Sequence, residues 1–585
     1  MRNIRLLAVA ALIAVTAVAC GRLQLDDKDK RRELDAAMRA TLQASTRPAF
    51  VTRDEEGGRL WKQTRQFYER RKYEPAWTRN AAPRAKMKDL TDALREVARE
   101  GLDPELYGVS LLDQKLGEGN DGFLTKKGFV PKEAATLDVW LTYLYMKVAS
   151  DLADGLSDLA HADQRWQIKP EKSDPLERLE KALEQGTIAQ SLFDLVPNTP
   201  EYQAMRKTLA EYREQASKGG WPKVAANLKP LKPGQRSPHV RAIAARLAAS
   251  GDFNGAIPSE ATEPAVYDAA LVEAVKRFQR RHGLQDDGIV SAAVVSELNV
   301  PIEQRISQIA LNMERWRWLP RDLGNRYILV NIPDMRLDVW ENGRVPLSMR
   351  VVVGKPEWPT PIFNDEMTHV VFSPYWNVPP NIAKDETLPS IMKDPAFLVR
   401  NNMEVVDKSG RAIDPASIDW MDPSSFRFRQ RPGSDNALGL VKFMFPNQFD
   451  VYLHDTPADS LFGRETRLFS HGCIRVEKPK ELASYVLRDQ PEWTAERIRA
   501  AMHAGEEKHV KLRESIPVYI GYWTARVSHD GLAQFRADAY GIDGRLTTLV
   551  DDRLRRLKAS TTAAASAAES AKKPTKEKSA KPRIP

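Results

Sequence analysis

Asn342-Gly343 stands between two runs whose apolar residues recur at every second position. Leu337 and Val339 alternate with Arg336 and Asp338 before it, and Val345, Leu347, Met349 and Val351 follow it. A two-residue hairpin turn needs positive φ, which Asn and Gly tolerate, so this stretch predicts a β-hairpin with one face on a core. Tyr327-Ile328-Leu329-Val330 and Val370-Val371-Phe372 carry the β pattern onward. Phe449, Val451 and Leu453 resume it, which sets Tyr452 and His454 together on the opposite face. A mainly β domain is therefore expected over 325–525. Between 380 and 447 the alternation fails and Pro, Asn, Asp and Lys become frequent, which predicts an inserted lobe capping the sheet and opening on a short helix after Pro379-Pro380. Pro479 to Leu487 reads as a helix with Leu482, Tyr485 and Val486 facing the core. Val518, Ile520 and Tyr522, then the turn His529-Asp530-Gly531 and Leu532 to Phe535, predict a last hairpin in a C-terminal extension over 526–557.

A chain of 585 residues exceeds what one core holds, so several domains are expected. Residues 48–223 predict an α-helical domain, in which Leu137, Leu141, Leu144, Val148 and Leu152 form one apolar helix face. Phe67-Tyr68, Tyr73 and Pro75-Ala76-Trp77 give that domain an aromatic cluster. Pro222 to Pro238, rich in Lys, Pro and Gly, reads as a linker. Residues 233–301 predict a compact three-helix unit, with Val240, Ile243 and Leu247 on its first helix and Leu271, Val275 and Phe278 on its second. The whole is an α+β multidomain chain.

Arg2 and Arg5, the apolar run Leu6 to Val18 and Ala17-Val18-Ala19 predict an export signal over 1–19, too short for the ~20 residues of a spanning helix. Ala17-Val18-Ala19-Cys20-Gly21 resembles a bacterial lipoprotein processing site, with Cys20 lipidated, although Ala17 stands where such sites usually carry Leu. Residues 20–47 are charged and poor in aromatics, which predicts a tether or an exposed helix. At the other end, 558–585 is Ala, Ser, Lys and Pro and predicts a disordered basic tail. The net charge of +9 forms no concentrated stripe, so a nucleic-acid partner is not expected.

Two cysteines in an exported chain would ordinarily suggest a disulfide. Lipidation of Cys20 would leave Cys473 alone, and an exported lone thiol signals reactivity. Cys473 lies in Ser470-His471-Gly472-Cys473-Ile474-Arg475, where Gly472 is expected to remove a side chain that would crowd the thiol. An imidazole at the end of Val451-Tyr452-Leu453-His454 favours the thiolate, the reactive form of cysteine. Cys473 is thus the expected acyl-accepting nucleophile and His454 its base. His471 either shapes the loop or moves a proton. Ser470 is expected to hydrogen-bond within the loop, and Arg475 to hold an ion pair or a substrate. Tyr452, Trp376 and Asn377 are cleft candidates.

With His454-Asp455-Thr456 upstream, this signature resembles that of the L,D-transpeptidases with a YkuD-type catalytic domain. Tyr375-Trp376-Asn377-Val378-Pro379-Pro380, Lys442-Phe443-Met444-Phe445-Pro446-Asn447 and Tyr452-Leu453-His454-Asp455-Thr456-Pro457 resemble the larger YcbB-like subgroup. Ala274-Val275-Lys276-Arg277-Phe278-Gln279, His282-Gly283-Leu284 and Asp287-Gly288 resemble the three-helix peptidoglycan-binding module. The resemblance implies a scaffold domain, that module and a catalytic domain with a capping insertion. It implies attack of Cys473 on the diaminopimelate carbonyl of a stem peptide, loss of the terminal D-Ala, and transfer of the thioester to a neighbouring diaminopimelate amine, giving a 3–3 crosslink. Backbone N–H groups near Gly472 and Cys473 are candidates for the oxyanion hole. No metal or other cofactor is implied, because the thioester keeps the energy of the cleaved bond. The implied setting is the periplasm of a Gram-negative bacterium, lipid-anchored to the outer membrane if Cys20 is modified.

Ser390-Ile391-Met392-Lys393, Lys408-Ser409-Gly410 and Ser434-Asp435-Asn436 fit the motifs of serine D,D-transpeptidases, but in the wrong order and crowded into one segment. They are read as coincidence. Zinc-protease, phosphate-loop and serine-hydrolase signatures are missing from the sequence. The alternatives left are an L,D-carboxypeptidase, with water as acceptor, and a non-catalytic peptidoglycan-binding protein.

Overall fold

A computed structural model of the chain describes residues 31–555, apart from 78–82, 117–130, 157–165, 169–173, 261–263, 395, 421, 423 and 529–530. The leader 1–19, Cys20, the turn residues His529 and Asp530, and the tail 558–585 lie outside the described residues. Among the described residues no helix is long and apolar enough to cross a membrane.

The first departure from expectation comes within the tether. Residues 31–43 are helical, and Leu34, Met38 and Leu42 are buried in the main hydrophobic core. Their spacing of four puts them on one stripe, so a helix that looks polar in composition still docks. Helices Glu55–Arg70, Pro83–Glu96, Val109–Leu116, Pro131–Asp154, Pro175–Gln185, Ile188–Phe193 and Pro200–Ser217 follow in the helical region. Pro131–Asp154 is buried on nearly every side, not along one face. Its polar residues are satisfied internally: Asp138 accepts from the Ala76 and Trp77 N–H groups, and Lys147 pairs with Asp151 and Glu56.

Helix Ile302–Arg317 follows the three-helix unit and ties the regions together. Its buried Arg317 pairs with Glu314 and donates to the Tyr202 hydroxyl at 3.0 Å. The three-helix unit has its own core around Ile243, Val275 and Phe278. His282 stacks on Phe278 at 3.9 Å and on Phe535 at 5.6 Å, while Arg281 Nε donates to the Ala533 carbonyl at 2.8 Å. The His282-Gly283 turn is thus a docking contact with the C-terminal hairpin.

Among the described residues the largest sheet has nine strands. In order they are Leu468–Ser470, Arg344–Gly354, Ile474–Val476, Leu453–His454, Val441–Met444, Phe363–Phe372, Lys508–Gly521, Arg326–Asn331 and Arg336–Glu341. Arg336–Glu341 also pairs with Arg344–Gly354 across the expected Asn342-Gly343 turn, so the sheet closes on itself. The lobe has a four-stranded sheet of its own, from Trp376–Asn377, Arg427–Gln430, Met403–Val406 and Ala412–Ile413.

Two expectations here need correction. The insertion does not extend to 447, because Val441–Met444 is a main-sheet strand between Phe363–Phe372 and Leu453–His454. Buried on both edges, it needs little alternation in polarity to be held. Val518 and Ile520 do not belong to the last hairpin, since Lys508–Gly521 is flanked on both sides within the main sheet. The hairpin is Ala525–Val527 with Ala533–Phe535.

Candidate active site

Two short parallel strands carry the centre. Leu453 lies opposite Ile474 and His454 opposite Arg475, and the Ile474 N–H donates to the Tyr452 carbonyl at 3.1 Å. Leu453 and Ile474 point into the core. Alternation therefore turns Tyr452, His454, Cys473 and Arg475 to the other face. Lys442 lies opposite His454 on the next strand and joins them, its Nζ 5.9 Å from the centre of the Tyr452 ring.

Cys473 is a free thiol, half-buried, with Sγ 3.7 Å from the Asp450 carbonyl oxygen. Asp450 has φ +53°, in a loop organised by Asn447. Asn447 Nδ2 donates to the Phe445 and Val451 carbonyls at 2.6 and 2.7 Å, and its Oδ1 accepts from the Phe449 N–H at 3.0 Å. The Pro446-Asn447 pair is a turn signal, but the hydrogen bonds by which Asn447 shapes the loop before Cys473 appear only in the fold.

Burial pushes the Cys473 thiol up, and hydrogen bonding with Tyr452 and the charge of Arg475 pull it back only in part. Burial, with Arg475 and Lys442 nearby, holds His454 down to about 3. His454 Nδ1 lies 2.6 Å from the Asp455 carbonyl oxygen, which can only accept. The proton of the neutral ring therefore sits on Nδ1, and Nε2 keeps its lone pair. Both shifts favour the neutral forms, a thiol on Cys473 and an uncharged imidazole on His454. His454 and Cys473 are diagonal neighbours across the parallel strands, and among the described residues no direct hydrogen bond joins them.

The loop before Cys473 is pinned by Ser470, which is buried. Its Oγ donates to the Cys473 carbonyl at 2.5 Å and accepts from the Gly472 N–H at 3.1 Å. That takes the Gly472 N–H out of the expected oxyanion hole and leaves the Cys473 N–H. Gly472 is needed for its φ of +120°, not to relieve crowding, since a Cβ there would come no closer than 3.9 Å to the Pro359 carbonyl oxygen.

His471 is turned to the lobe. Its Nε2 donates to Glu386 Oε1 at 2.8 Å, and its ring lies 5.7 Å from that of Trp358. Trp376 packs on the lobe core and Asn377 is exposed on the same strand, paired with Arg429. Arg475 is half-buried, burial lowers its pKa, and among the described residues no carboxylate pairs with it. The serine motifs serve local structure. Ser390 Oγ donates to the Glu386 carbonyl at 2.6 Å, Ser409 Oγ to Asp407 at 2.6 Å, and Asn436 Nδ2 to the Arg431 carbonyl at 2.9 Å.

Comparison with known proteins gives three regional matches. Residues 325–510 match an "L,D-transpeptidase catalytic domain", 62–209 a "Scaffold domain" and 236–298 a "Putative peptidoglycan binding domain". A curated relative from Haemophilus influenzae, named "Putative L,D-transpeptidase", is 36% identical over 248 residues, 42% of this chain and 50% of that protein. The alignment thus spans about half the length of the curated relative. An L,D-transpeptidase structure from Mycobacterium smegmatis is 15% identical, covering 34% of this chain and 58% of that one, with a TM-score of 0.16. One from Xylanimonas cellulosilytica is also 15% identical, covering 50% and 98%, with a TM-score of 0.17. Alignments this loose in space add nothing to the residue-level picture.

Proposed function

We propose that this chain, whose residues 325–510 are an L,D-transpeptidase catalytic domain behind a scaffold and a peptidoglycan-binding domain, crosslinks peptidoglycan stems 3–3 through a thioester on Cys473. One observation carries the reading: a free thiol, a neutral imidazole with its lone pair on Nε2, and a cation that no carboxylate among the described residues pairs with share one face of one parallel strand pair.

In this reading a staggered change of the Cys473 rotamer brings Sγ to His454 Nε2. The thiol proton passes to Nε2 as sulfur attacks the diaminopimelate carbonyl. The carbonyl oxygen takes negative charge beside the Cys473 N–H. As the C–N bond to the terminal D-Ala breaks, the leaving amine takes the proton from His454. The side-chain amine of a second diaminopimelate then attacks the thioester and gives its proton to His454. Collapse breaks the C–S bond, and the proton returns to sulfur. General-base help of this kind is worth about 100- to 10,000-fold. Arg475 holds a substrate carboxylate, which replaces the counter-ion it otherwise lacks. The substrate sets the place of action outside the cytoplasm. Export by residues 1–19 and anchoring through lipidated Cys20 complete the reading, and loss of lipid labelling in Cys20→Ser tests the anchor.

The deciding experiment incubates the protein with a disaccharide tetrapeptide and follows Cys473 by mass spectrometry. A thioester with loss of D-Ala supports the reading. Cys473→Ala is expected to abolish it and Ser390→Ala to spare it, and the reverse pattern overturns the assignment. Counting 3–3 dimers against tripeptides from the same reaction separates crosslinking from carboxypeptidase trimming. Unmodified protein that only binds sacculi would make it a binding protein.

A further inference from the structure

We infer that Thr360 aims the Cys473 N–H at the oxygen of the carbonyl under attack, and that Tyr540 holds Thr360 in place. The inference rests on the reading of Cys473 as the acylated residue.

Thr360 is fully buried, six residues after the end of strand Arg344–Gly354 and outside every signature in the sequence. Its Oγ1 donates to the Gly472 carbonyl at 2.8 Å and accepts from the Gly354 N–H at 2.9 Å. The Gly472 carbonyl and the Cys473 N–H belong to one peptide unit, which is planar and trans, so they point in opposite directions. Fixing the carbonyl on Thr360 therefore fixes the Cys473 N–H on the far side. That donor matters because Ser470 has already taken the Gly472 N–H.

Nothing in the 470–475 signature makes this contact to the Gly472 carbonyl; it comes from a turn more than a hundred residues upstream. The turn is braced in its own right. The Tyr540 hydroxyl donates to the Gly354 carbonyl at 2.6 Å and accepts from the Thr360 N–H at 3.2 Å. Tyr540 stacks on Tyr522 at 5.6 Å, and its N–H donates to the Tyr522 hydroxyl at 2.9 Å. Tyr522 in turn donates to Asp538 at 2.7 Å. Tyr540 lies beyond residue 510, where the matched catalytic domain ends. The C-terminal extension is thus part of the support of the nucleophile loop. Thr360 and Tyr540 are positioning residues.

Thr360→Val keeps the shape and removes the hydroxyl, whereas Thr360→Ser keeps the hydroxyl. In the full-length protein with a disaccharide tetrapeptide, T360V is expected to slow Cys473 acylation at saturation about 10- to 100-fold, with half-saturation changed by less than about threefold. T360S is expected to stay within about threefold of the parent. Alkylation of Cys473 by iodoacetamide develops no oxyanion and is expected to change less than about twofold in either variant. Acylation by T360V at the parent rate overturns the inference, as does a parallel fall in alkylation, which would mean a disordered thiol. With ¹⁵N-cysteine labelling, the amide signal lost in Cys473→Ala is expected to shift in T360V and to return in T360S. An unmoved signal overturns the inference even if the parent protein acylates nothing, a result that would instead overturn the proposed function. Should T360V lose cooperative melting, Tyr540→Phe decides, with an expected slowing of about 3- to 10-fold at unchanged alkylation.

Discussion

His454 Nδ1 lies 2.6 Å from the carbonyl oxygen of Asp455, its own chain neighbour. The contact looks trivial, yet it fixes the tautomer of a buried ring. The Asp455 carboxylate keeps that backbone in place: it accepts from the Leu440 N–H at 2.8 Å and the Thr456 N–H at 2.7 Å. Gly439 leaves the space for it, since a Cβ there would overlap the Asp455 carboxylate.

Replacing His454 by Asn removes the proposed base and keeps a polar side chain. Acylation of Cys473 is expected to slow about 100- to 10,000-fold in mass-spectrometric time courses at pH 7. A variant that acylates at the parent rate would show that another group takes the proton.

The same burial makes stability depend on pH. The folded state holds His454 down to about 3, against 6.5 for an ordinary imidazole. Between those values the unfolded chain binds a proton that the folded chain does not, so acidification below 6.5 destabilises the fold. The slope is at most about 1.4 kcal/mol per pH unit from this residue. The drop in Tm from pH 7 to pH 4.5 is therefore expected to be smaller in His454→Asn than in the parent. Equal drops would place the acid sensitivity elsewhere.

Burial raises the Cys473 thiol, and Arg475 is among the groups that oppose the rise. Iodoacetamide is therefore expected to label Cys473 more slowly than free cysteine at pH 8, with the rate climbing as pH increases. Arg475→Met takes away a positive charge and raises the thiol further, so its labelling curve is expected to move to higher pH. A curve that stays put would mean that solvent screens the guanidinium from the sulfur.

Ser470→Ala leaves the buried Gly472 N–H without its acceptor. Such an orphan costs about 1–3 kcal/mol, to be read from chemical denaturation. Gly472→Ala meets no clash but must hold φ at +120°, at about 1–3 kcal/mol. Both are expected to lower acylation as well as stability. Unchanged acylation in Ser470→Ala would show that the loop holds its shape without that hydroxyl.

Glu386 is half-exposed, so its link to His471 adds little to global stability, about 0–1 kcal/mol. Glu386→Gln is expected to leave Tm nearly unchanged and to speed amide hydrogen exchange in residues 383–393 of the lobe. Protection equal to that of the parent would show that the lobe is held by its other contacts.

Local chemistry was readable without the fold. Asn342-Gly343 dictated a turn because few residues accept positive φ, and strict alternation put Tyr452 and His454 on one face because side chains in a strand have a period of two. What only the tertiary structure decided are relationships between segments far apart in sequence. Leu34, Met38 and Leu42 dock in the core although their neighbours are charged, Val441–Met444 is main sheet and not lobe, and His471 faces Glu386 of the lobe. The lowered pKa of His454 and the anchoring of the Gly472 carbonyl on Thr360 belong to the same class. Both depend on how much water is excluded and on which distant hydroxyl or carbonyl arrives, and neither quantity has a local period or composition that a sequence could display.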